Sequence, residues 1–472
     1  MAKNQLHSFQ NELSEWYNDV ILKAELADYA PVKGCMVIRP YGYAIWEGIQ
    51  NFMNTLIKEH GVQNAYFPLF IPMHFLNKEK EHVEGFAPEL AIVTHGGGEK
   101  LPEELAVRPT SETIMYEMYS KWTKSWRDLP VLINQWCNVV RWEKRTYMFL
   151  RTSEFLWQEG HCAHLTHQES LDIVLWAMNL YQQTYNQLLG LYGIAGYKSN
   201  TEKFAGAGKS ITFEMLMPNG KSLQSCTSHD LGQNFSKSFN WTVQDQNGQN
   251  VYPWQNSWGL STRSIGGLIM AHGDDNGLKL PPNIAPIQVV IVPIPGHQDA
   301  LELAKKIKDT LSLFRVELDL DDTQTAGFKF NKWELKGVPL RIEIGSRDVA
   351  SNSVVIYRRD TGEKMTVAVA EVATNVQSLL ANIQANLFEN HKKFTQDHTL
   401  KIDNYDQFKQ AMDTTRGFLS AHWCEDPECE AAIKTETKAT TRCLPLDAKE
   451  ESGTCVRCGK PSTHRWLFGL SY

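Results

Sequence analysis

The chain has 472 residues, of which 42% are hydrophobic and 21% charged, as in an ordinary globular protein of about two to four domains. Its net charge of −7 argues against a protein that coats nucleic acid through bulk positive charge, though not against local basic patches. The N-terminal residues contain no apolar run and no window offers about 18 consecutive apolar residues, so we expect no signal peptide, no membrane span and a cytoplasmic location.

The first part of the chain mixes helical patterns with short strand-like runs. Residues 47–61 place apolar side chains at helical spacing and end on a glycine, which predicts a helix. The segment NAYFPLFIP (64–72) follows as extended, proline-punctuated chain. Residues 169–193 predict a long amphipathic helix. We assign this mixture to a first domain, residues 1–280.

A proline-rich linker, LKLPPNIAP (278–286), ends that pattern. The run IQVVIVPI (287–294) then reads as a strand buried on both faces, and strands alternate with helices up to about residue 397. This alternation predicts an open α/β sheet over residues 286–397. Residues 398–472 form a third unit that carries a cluster of cysteines.

Four tail cysteines have the spacing of a metal site. Cys424 and Cys429 form one pair, Cys455 and Cys458 form another, and thiolates in two such pairs suit tetrahedral zinc. Four protein ligands leave no open position, so the expected role is structural. The alternative is a coincidence of reduced thiols. Cys443 lies in neither pair and is predicted not to bind the metal.

The segment FAGAGKSIT (204–212) contains Gly-Lys-Ser, which suggests a phosphate-binding loop. That loop also needs a glycine five residues before the Gly-Lys pair, and Lys203 occupies this position. We therefore expect no site of the GTPase type here.

The most informative stretch is RWEKRTYMFLRTSEFLWQEGHCAH (141–164), which interleaves charges with large apolar residues. If Arg141 and Glu143 lie on a strand, alternation puts both on one face, and Arg151 and Phe155 return on the partner strand. An arginine fork beside a carboxylate suits a phosphate and a ring that donates hydrogen bonds. The alternative is an amphipathic hairpin with a solvated outer face.

This order, Arg-x-Glu, loop, Arg-x-x-x-Phe, resembles the second signature motif of class II aminoacyl-tRNA synthetases. Residues 257–282 resemble the third motif, with small residues around Arg263 at the start of a helix. The helix at 47–61 and a strand carrying Pro68 resemble the first motif, which forms the dimer interface in that family.

Within the class, the chain resembles prolyl-tRNA synthetases of the archaeal and eukaryotic type. The resemblance is carried by VRPTSE (107–112), FLRTSEFLWQEGH (149–161), LQSCTSHDLGQNFSK (223–237), GFKFNKWELKGVPLRIEIGSRD (327–348) and the tail cysteines. It implies an α+β fold: a class II catalytic domain built on an antiparallel sheet (1–280), an α/β anticodon-binding domain (286–397) and a small zinc-binding α/β domain (398–472).

The resemblance also implies roles for single residues. Arg141 would bridge the proline carboxylate and the α-phosphate of ATP, and Arg141 and Arg263 would be the catalytic residues. Glu143 would accept from the adenine amino group, Phe155 and Arg263 would enclose the adenine ring, and Arg151 would neutralise the β- and γ-phosphates. The implied ATP-binding set is Arg141, Glu143, Arg151, Thr152, Phe155, Gln224, Thr227, Ser261 and Arg263.

For the amino acid, Thr110 and Glu112 would hold the secondary ammonium of proline. Aromatic and histidine side chains would form the walls around the ring. His161 on its own is more often a core histidine, and its place in WQEGH favours the binding role. The implied proline-binding set is Thr110, Glu112, Arg141, Trp157, Glu159, His161, Phe204 and His229.

The expected activity is ATP-dependent ligation of L-proline to tRNA(Pro) by a homodimer, with Mg²⁺ accompanying ATP and zinc in the tail. About 100 residues separate the second and third motifs, too few for an editing insertion, so no hydrolysis of mischarged tRNA within this chain is expected. Glu343 and Arg347 are candidates for reading anticodon guanines, with an ordinary charged strand and turn as the alternative. Asp274 and Asp275 are interpreted as helix-end structure rather than metal ligands.

Two alternative functions can be tested: a binding protein without catalysis, and an enzyme specific for another amino acid. A synthetase-like binding protein that has lost catalysis should lack the motif arginines, yet Arg141, Arg151 and Arg263 are all present. A class II enzyme for another amino acid, such as threonine, would need an open catalytic zinc, whereas the paired cysteines lie in the tail.

Overall fold

One 11-stranded sheet joins the beginning and the end of the chain in the computed structural model, which describes residues 6–76 and 90–472. Residues 1–5 and 77–89, which belong to the predicted first domain, lie outside the described residues. Hydrophobic cores lie in an N-terminal unit (to residue 285), a middle unit (286–397) and a C-terminal unit (398–472). Leu335 of the middle unit packs into the N-terminal core, and Leu216 packs with Phe418 and Leu467 of the C-terminal unit. The predicted domain boundaries stay predictions. In the described part of the chain, no helix is long and apolar enough to cross a membrane.

The N-terminal unit contains the helices and short strands that its pattern predicts. Its strands are β1 (Ala27–Tyr29), β2 (Met36–Ile38), β3 (Gln63–Asn64), β4 (Phe70–Pro72), β5 (Ala91–Gly96), β6 (Glu99–Val107), β7 (Val131–Val140), β8 (Glu154–His164), β9 (Ile194–Tyr197), β10 (Lys209–Leu216), β11 (Lys221–Gly232), β12 (Val243–Gln244), β13 (Asn250–Val251), β14 (Trp254–Ser261), β15 (Gly273–Asp274) and β16 (Gly277–Leu278). Its helices are α1 (Leu13–Lys23), α2 (Pro40–Glu59), α3 (Met73–Leu76), α4 (Glu112–Trp122), α5 (His167–Gln183), α6 (Asn234–Ser238) and α7 (Arg263–Ala271).

Local sequence explains the two longest helices of this unit. In α2, Ile45, Ile49, Met53 and Ile57 recur every four residues, are buried, and form one apolar stripe. Helix α5 begins with a capping box, in which the Thr166 side chain accepts from a backbone amide and Glu169 bonds back. It continues into a π-helical turn over Thr184–Leu188.

Strands β9, β10, β11, β14, β8 and β7 form an antiparallel stretch in the middle of the large sheet. One face of this stretch packs on α5. Tyr181 Oη donates to Gln158 Oε1 (2.8 Å), and Ser228 Oγ donates to the Val174 carbonyl (2.9 Å). Because side chains alternate along a strand, the neighbours of Gln158 and Ser228 face the opposite side, where the candidate site lies.

The middle unit is an α/β sheet covered by helices, as its alternating pattern predicts. Strand β17 is buried throughout and runs parallel to both neighbours, whereas the last two pairings are antiparallel. Its strands, in the spatial order β18-β17-β19-β20-β21, are β17 (Val289–Pro293), β18 (Val316–Leu318), β19 (Leu340–Ile344), β20 (Ser353–Arg358) and β21 (Lys364–Ala368). Its helices are α8 (Gln298–Thr310), α9 (Ala326–Leu335), α10 (Ser346–Ala350) and α11 (Val372–Asp397).

The C-terminal unit extends the large sheet. Strand β24 runs antiparallel to β9 with Leu444 opposite Tyr197, and β27 pairs with β23 and β24 and touches the end of β11. Its strands are β22 (Thr399–Lys401), β23 (Phe418–His422), β24 (Thr440–Pro445), β25 (Gly453–Thr454), β26 (Pro461–Ser462) and β27 (Arg465–Ser471), and its helices are α12 (Tyr405–Asp413) and α13 (Pro427–Thr437).

The predicted linker (278–286) is packed against the N-terminal unit. Leu280, Ile284 and Ala285, which alternate with its prolines, are buried in the N-terminal core. Asp274 follows α7, as expected of helix-end structure, and its carboxylate also accepts from both terminal nitrogens of Arg359 in the middle unit (2.8 and 2.6 Å). A fork of this kind fixes orientation as well as distance between the two units.

Three local expectations need correction. The predicted strand through Arg141 and Glu143 is wrong, because pairing of β7 ends at Val140 opposite Glu154 and the chain then turns away. Pro68 lies between β3 and β4 rather than in a strand, as suits a residue that cannot donate to a ladder. The Gly-Lys-Ser sequence enters β10 instead of a helix, which agrees with the rejection of a phosphate-binding loop.

Candidate active site

A cleft of about 300 Å³ opens on the sheet face opposite α5. A second cavity of about 420 Å³ adjoins it, and Lys198, Glu202, Gln224 and Arg263 line both. The first cleft brings together the whole predicted proline-binding set. These residues are Thr110, Glu112, Arg141, Trp157, Glu159, His161, Phe204 and His229.

Strand register explains why residues distant in sequence meet here. His161 of β8 lies opposite Ser257 of β14, which lies opposite His229 of β11. One row further, Glu159 lies opposite Gly259, which in turn pairs with Thr227. All of them point to the face away from α5 because their positions differ by two along each strand.

Glu159 and His161 form a buried ion pair at the base of the cleft. Glu159 Oε2 lies 2.8 Å from His161 Nε2, and both side chains are almost fully buried. Burial alone would raise the pKa of Glu159, but hydrogen bonding to His161 and its positive charge, together with hydrogen bonds from Ser111 and Gln135, lower that pKa to about 2. The Glu159 carboxylate therefore already has Ser111, Gln135 and His161 as partners, and its contact with Nε2 fixes the orientation of the His161 ring.

Unlike His161, His229 is held in its neutral form by its surroundings. Its pKa falls to about 3 because the ring is buried and because Lys198, His161 and Arg141 add positive charge nearby. Ser210 Oγ lies 2.8 Å from Nδ1, and the ring stacks on Phe204 with centroids 4.6 Å apart. A neutral imidazole and a phenyl ring thus form one flat wall.

Thr110 and Glu112 line the cleft where α4 begins. The Thr110 hydroxyl donates to the carboxylate of Glu112, the first residue of the helix. A helix N-terminus favours negative charge, so Glu112 supplies a carboxylate at the cleft. Glu112 is buried, with 3% of its surface exposed.

Arg141 emerges just after β7 and reaches into the cleft. Its Nε donates to the Pro109 carbonyl (3.0 Å), which anchors one side of the guanidinium. The guanidinium carbon lies 5.6 Å from the ring centre of Phe155 and 5.4 Å from that of Trp157. A cation over an aromatic face is attracted by the ring quadrupole, so both rings favour this position of the guanidinium.

The predicted ATP-binding residues divide between the adjoining cavities. Phe155, Thr227 and Ser261 line the first cleft, Glu143 and Arg151 line the second, and Gln224 and Arg263 line both. Thr152 lines a small recess of about 50 Å³ with residues of each cavity.

Arg263 is fixed at the start of α7. Its Nε donates to the Leu150 carbonyl (2.8 Å) and its Nη1 to the Gln224 carbonyl (3.3 Å). Burial lowers the pKa of Arg263, and the charges of Arg141 and Arg151 add to this effect. Three arginines thus converge on one region, which suits a ligand with several negative charges.

Other lining residues were not predicted from the sequence. Lys198 and Glu202 line both cavities, and Arg145, Arg442 and Tyr472 line the second. Tyr472 therefore lies beside the cavity that Arg151 also lines. Arg442 and Tyr472 come from the C-terminal unit, and no local pattern points from there to the cleft.

The four tail cysteines meet as their spacing predicts. All four sulfur atoms lie within 4.8 Å of one another, with Cys429–Cys455 at 3.7 Å and Cys458–Cys424 at 3.5 Å. Tetrahedral zinc with Zn–S bonds of about 2.3 Å requires sulfur separations of about 3.8 Å. The donor set therefore fits zinc. Cys443 is buried in β24, apart from this group.

The two anticodon candidates differ in their surroundings. Glu343 of β19 accepts from Arg341 Nε (3.0 Å), Arg341 Nη2 (2.8 Å) and Lys364 Nζ (2.8 Å). Arg341 in turn lies 4.2 Å from the rings of both Phe330 and Tyr357. Arg347 is exposed at the start of α10.

Family models match all three units of the chain. The tRNA synthetase class II core domain (G, H, P, S and T) matches residues 97–272, and the anticodon binding domain matches residues 288–379. The model for the prolyl-tRNA synthetase C-terminal region matches residues 405–472. With the antiparallel sheet of the first unit, these matches confirm the predicted fold class.

Curated relatives and a solved structure agree with the models. A proline–tRNA ligase from Alkaliphilus oremlandii is 52% identical over 98% of this chain and 96% of its own length. Proline–tRNA ligase 2 from Clostridioides difficile is 49% identical over the full length of both chains, 100% of each. The crystal structure of prolyl-tRNA synthetase from Cryptosporidium parvum, complexed with halofuginone and AMPPNP, matches with a TM-score of 0.96 at 40% identity and covers 100% of both chains. The chain belongs to the prolyl-tRNA synthetase family of class II aminoacyl-tRNA synthetases.

Proposed function

We propose that this chain is a proline–tRNA ligase whose two cavities bind proline and ATP side by side. In the first step a proline carboxylate oxygen attacks the α-phosphorus of ATP, and pyrophosphate leaves. In the second step the 3′-terminal hydroxyl of tRNA(Pro) attacks the prolyl carbonyl, and AMP leaves. The observation that carries the proposal is that Arg141 lines the same cleft as Glu112, on which we place the proline ammonium, and as Arg263, on which we place the adenine.

The roles proposed at ATP are those that the family resemblance implies, and the residues concerned line the adjoining cavities. Arg141 contacts the α-phosphate and the proline carboxylate together, so it aligns the two reacting groups and stabilises charge in the transition state. Phe155 and Arg263 enclose the adenine, Glu143 accepts from its amino group, and Arg151 neutralises the β- and γ-phosphates. The remaining contacts are assigned to Thr152, Gln224, Thr227 and Ser261.

Proline recognition rests on one charged contact and a flat pocket. We assign the secondary ammonium to Glu112 with Thr110, which line the cleft beside Arg141, while Glu159 accepts from Ser111 and Gln135 and pairs with His161. The walls are Trp157, His161, Phe204 and His229. A compact five-membered ring fits such a pocket better than a longer side chain does.

Two ions complete the proposal. Mg²⁺ would enter with ATP, because its preferred ligands are phosphate oxygens and water. Zn²⁺ would be held by Cys424, Cys429, Cys455 and Cys458, where it contributes folding energy to the C-terminal unit.

We also propose a homodimer that uses the region of the first motif. Tyr43, Tyr66 and Phe70 expose 40%, 71% and 45% of their surfaces there. Large exposed apolar side chains favour a protein–protein contact. Sedimentation velocity should give about twice the chain mass, and a monomer at micromolar concentration would contradict this part. The cytoplasmic location stays a prediction.

The span between the second and third motifs contains no editing domain. Residues 156–262, all of them described, form the end of β8 and the elements α5 to β14 of the catalytic core. The purified chain should therefore leave alanyl-tRNA(Pro) intact on the timescale of aminoacylation. Rapid hydrolysis of that substrate would contradict this expectation.

The decisive experiment is amino-acid-dependent ATP–pyrophosphate exchange with each of the twenty amino acids. Proline should dominate, with cysteine or alanine as weak alternatives. Exchange with another amino acid and none with proline would overturn the pocket assignment. Charging of tRNA(Pro) by the same preparation then tests the second step.

A further inference from the structure

A buried ion pair crosses the junction between the C-terminal unit and the catalytic sheet. Arg442 of β24 donates through Nη2 (2.8 Å) and Nε (3.0 Å) to Glu214 Oε2 of β10. Glu214 has no exposed surface and Arg442 exposes 4%. Two charges removed from water in this way need each other, because either one alone would be costly to bury.

Glu214 lies directly beside a residue of the ATP-binding set. In the register of β10 and β11, Glu214 is opposite Gln224, so both side chains point to the cleft face. Thr212 and Ser222 also donate to Glu214 (2.9 and 2.6 Å), which leaves its carboxylate fixed within the sheet.

Lys198 connects this pair to Gln224. Its backbone amide continues the β9–β10 ladder by donating to the Ser210 carbonyl (2.9 Å), and its Nζ donates to Gln224 Oε1 (2.8 Å). Lys198 lies along both cavities. After Arg442, Lys198 is the second cation whose charge acts on Glu214. Lys198 therefore interacts with two acceptors: its Nζ donates to Gln224 Oε1, and its charge acts on the buried carboxylate of Glu214.

Loss of Arg442 would draw Lys198 from Gln224 towards Glu214. Glu214 would remain as a buried carboxylate without its main partner, and Lys198 is the cation able to compensate it. Compensation would draw Nζ away from Gln224 Oε1, and the amide of Gln224 would lose the bond that orients it. With Arg442 in place, Glu214 is neutralised and Lys198 stays on Gln224.

We infer that Arg442 is a positioning residue for ATP: by satisfying Glu214 it leaves Lys198 free to orient Gln224 in the cleft. This inference rests on the proposed function, since it assigns Gln224 to the nucleotide. It makes the C-terminal unit a contributor to the first step of the reaction.

The test compares Arg442→Met, Arg442→Lys and the double variant Glu214→Gln/Arg442→Met by steady-state ATP–pyrophosphate exchange. Arg442→Met should raise KM for ATP about tenfold or more, with KM for proline and kcat within about twofold, because uniform binding of one substrate is lost. Arg442→Lys keeps the charge and should recover part of the effect. The double variant removes both charges and should return KM for ATP to within about threefold of wild type.

The matched control is Arg465→Met. Arg465 lies on the neighbouring strand β27 and pairs with Asp403 (2.6 Å) and Glu451 (3.1 Å) inside the C-terminal unit. Its loss should leave KM for ATP unchanged. Thermal unfolding and zinc content are measured for every variant, so that kinetic constants are compared only among folded, zinc-loaded proteins.

Three results would overturn the inference: an unchanged KM for ATP in folded Arg442→Met, an equal rise in Arg465→Met, or no recovery in the double variant. Failure of the proposed function looks different, because wild type itself would then show no proline-dependent exchange.

Discussion

Arg151 Nε lies 2.7 Å from Glu143 Oε2, so two residues that we assign to opposite ends of ATP are paired with each other. The Arg151 side chain is 52% exposed, and an ion pair so open to water contributes about 0–1 kcal/mol. Exchanging this partner for phosphate oxygens therefore costs little.

Arg151→Ala should raise KM for ATP by about ten- to a hundredfold, because the β- and γ-phosphates lose a charge-assisted contact. Pyrophosphate exchange at varied ATP measures this. Lys144→Ala, an exposed residue of the same loop, is the matched control and should stay within twofold of wild type. Equal effects of the two changes would contradict a specific phosphate contact.

Arg141→Ala should lower kcat for exchange by about 10²–10³, because the group that spans both reacting partners is gone. Arg141→Lys should recover only part of the rate, since an ammonium cannot contact two acceptors as a planar fork does. Circular dichroism checks that both variants fold. Exchange by Arg141→Ala within tenfold of wild type would remove Arg141 from the reaction.

His391 should make the protein less stable in mild acid. Its Nδ1 accepts from the Tyr192 amide (2.9 Å) and its Nε2 donates to the Leu216 carbonyl (3.0 Å), which fixes a neutral ring. Burial lowers its pKa to about 4, against an ordinary value of 6.5. Below pH 6.5 His391 binds a proton in the unfolded chain but not in the folded one. The free energy of unfolding therefore falls as pH drops from about 6.5 to about 4.

The slope from this one group is about 1.4 kcal/mol per pH unit in the middle of that window. Urea unfolding at pH 7, 6 and 5 should show a flatter pH dependence for His391→Gln than for wild type. His297→Gln, an exposed histidine of the middle unit, is the control. Parallel curves for wild type and His391→Gln would show that the ring does not titrate as expected.

Cys455→Ser should abolish zinc binding and lower the apparent melting temperature by an amount on the order of 10 °C, because metal binding is part of the folding energy. Elemental analysis should give about one zinc per chain in wild type. Cys443→Ala removes a buried thiol outside the metal site and should retain the zinc. A well-folded Cys455→Ser protein with only a kinetic defect would contradict a structural role.

Arg347→Ala should lower kcat/KM for tRNA charging by about tenfold or more, the cost of one lost base contact, and leave proline-dependent pyrophosphate exchange unchanged. Lys308→Ala, on the exposed side of α8, controls for a general loss of positive charge. If both variants charge tRNA like wild type, Arg347 does not read the anticodon.

The sequence predicted which side chains line the cleft, but it did not predict where the strands that carry them end. Glu159 and His161 were assigned through the resemblance that WQEGH carries, and because they are two residues apart on β8 their side chains share the cleft face. The end of β7 at Val140 was missed, because pairing stops where the loop closes, and local periodicity does not report this. The Arg442–Glu214 pair joins residues 228 positions apart, and only the docking of β24 on β9 creates it.

The continuous sheet also determines how the chain can be divided. Strand β9 has β10 on one side and β24 of the C-terminal unit on the other. A fragment that ends before residue 398 would expose the amide and carbonyl groups of β9 to any extended peptide, including the same strand of a second fragment. Such a fragment should aggregate even though its catalytic motifs are intact, because β24 no longer covers this edge of the sheet.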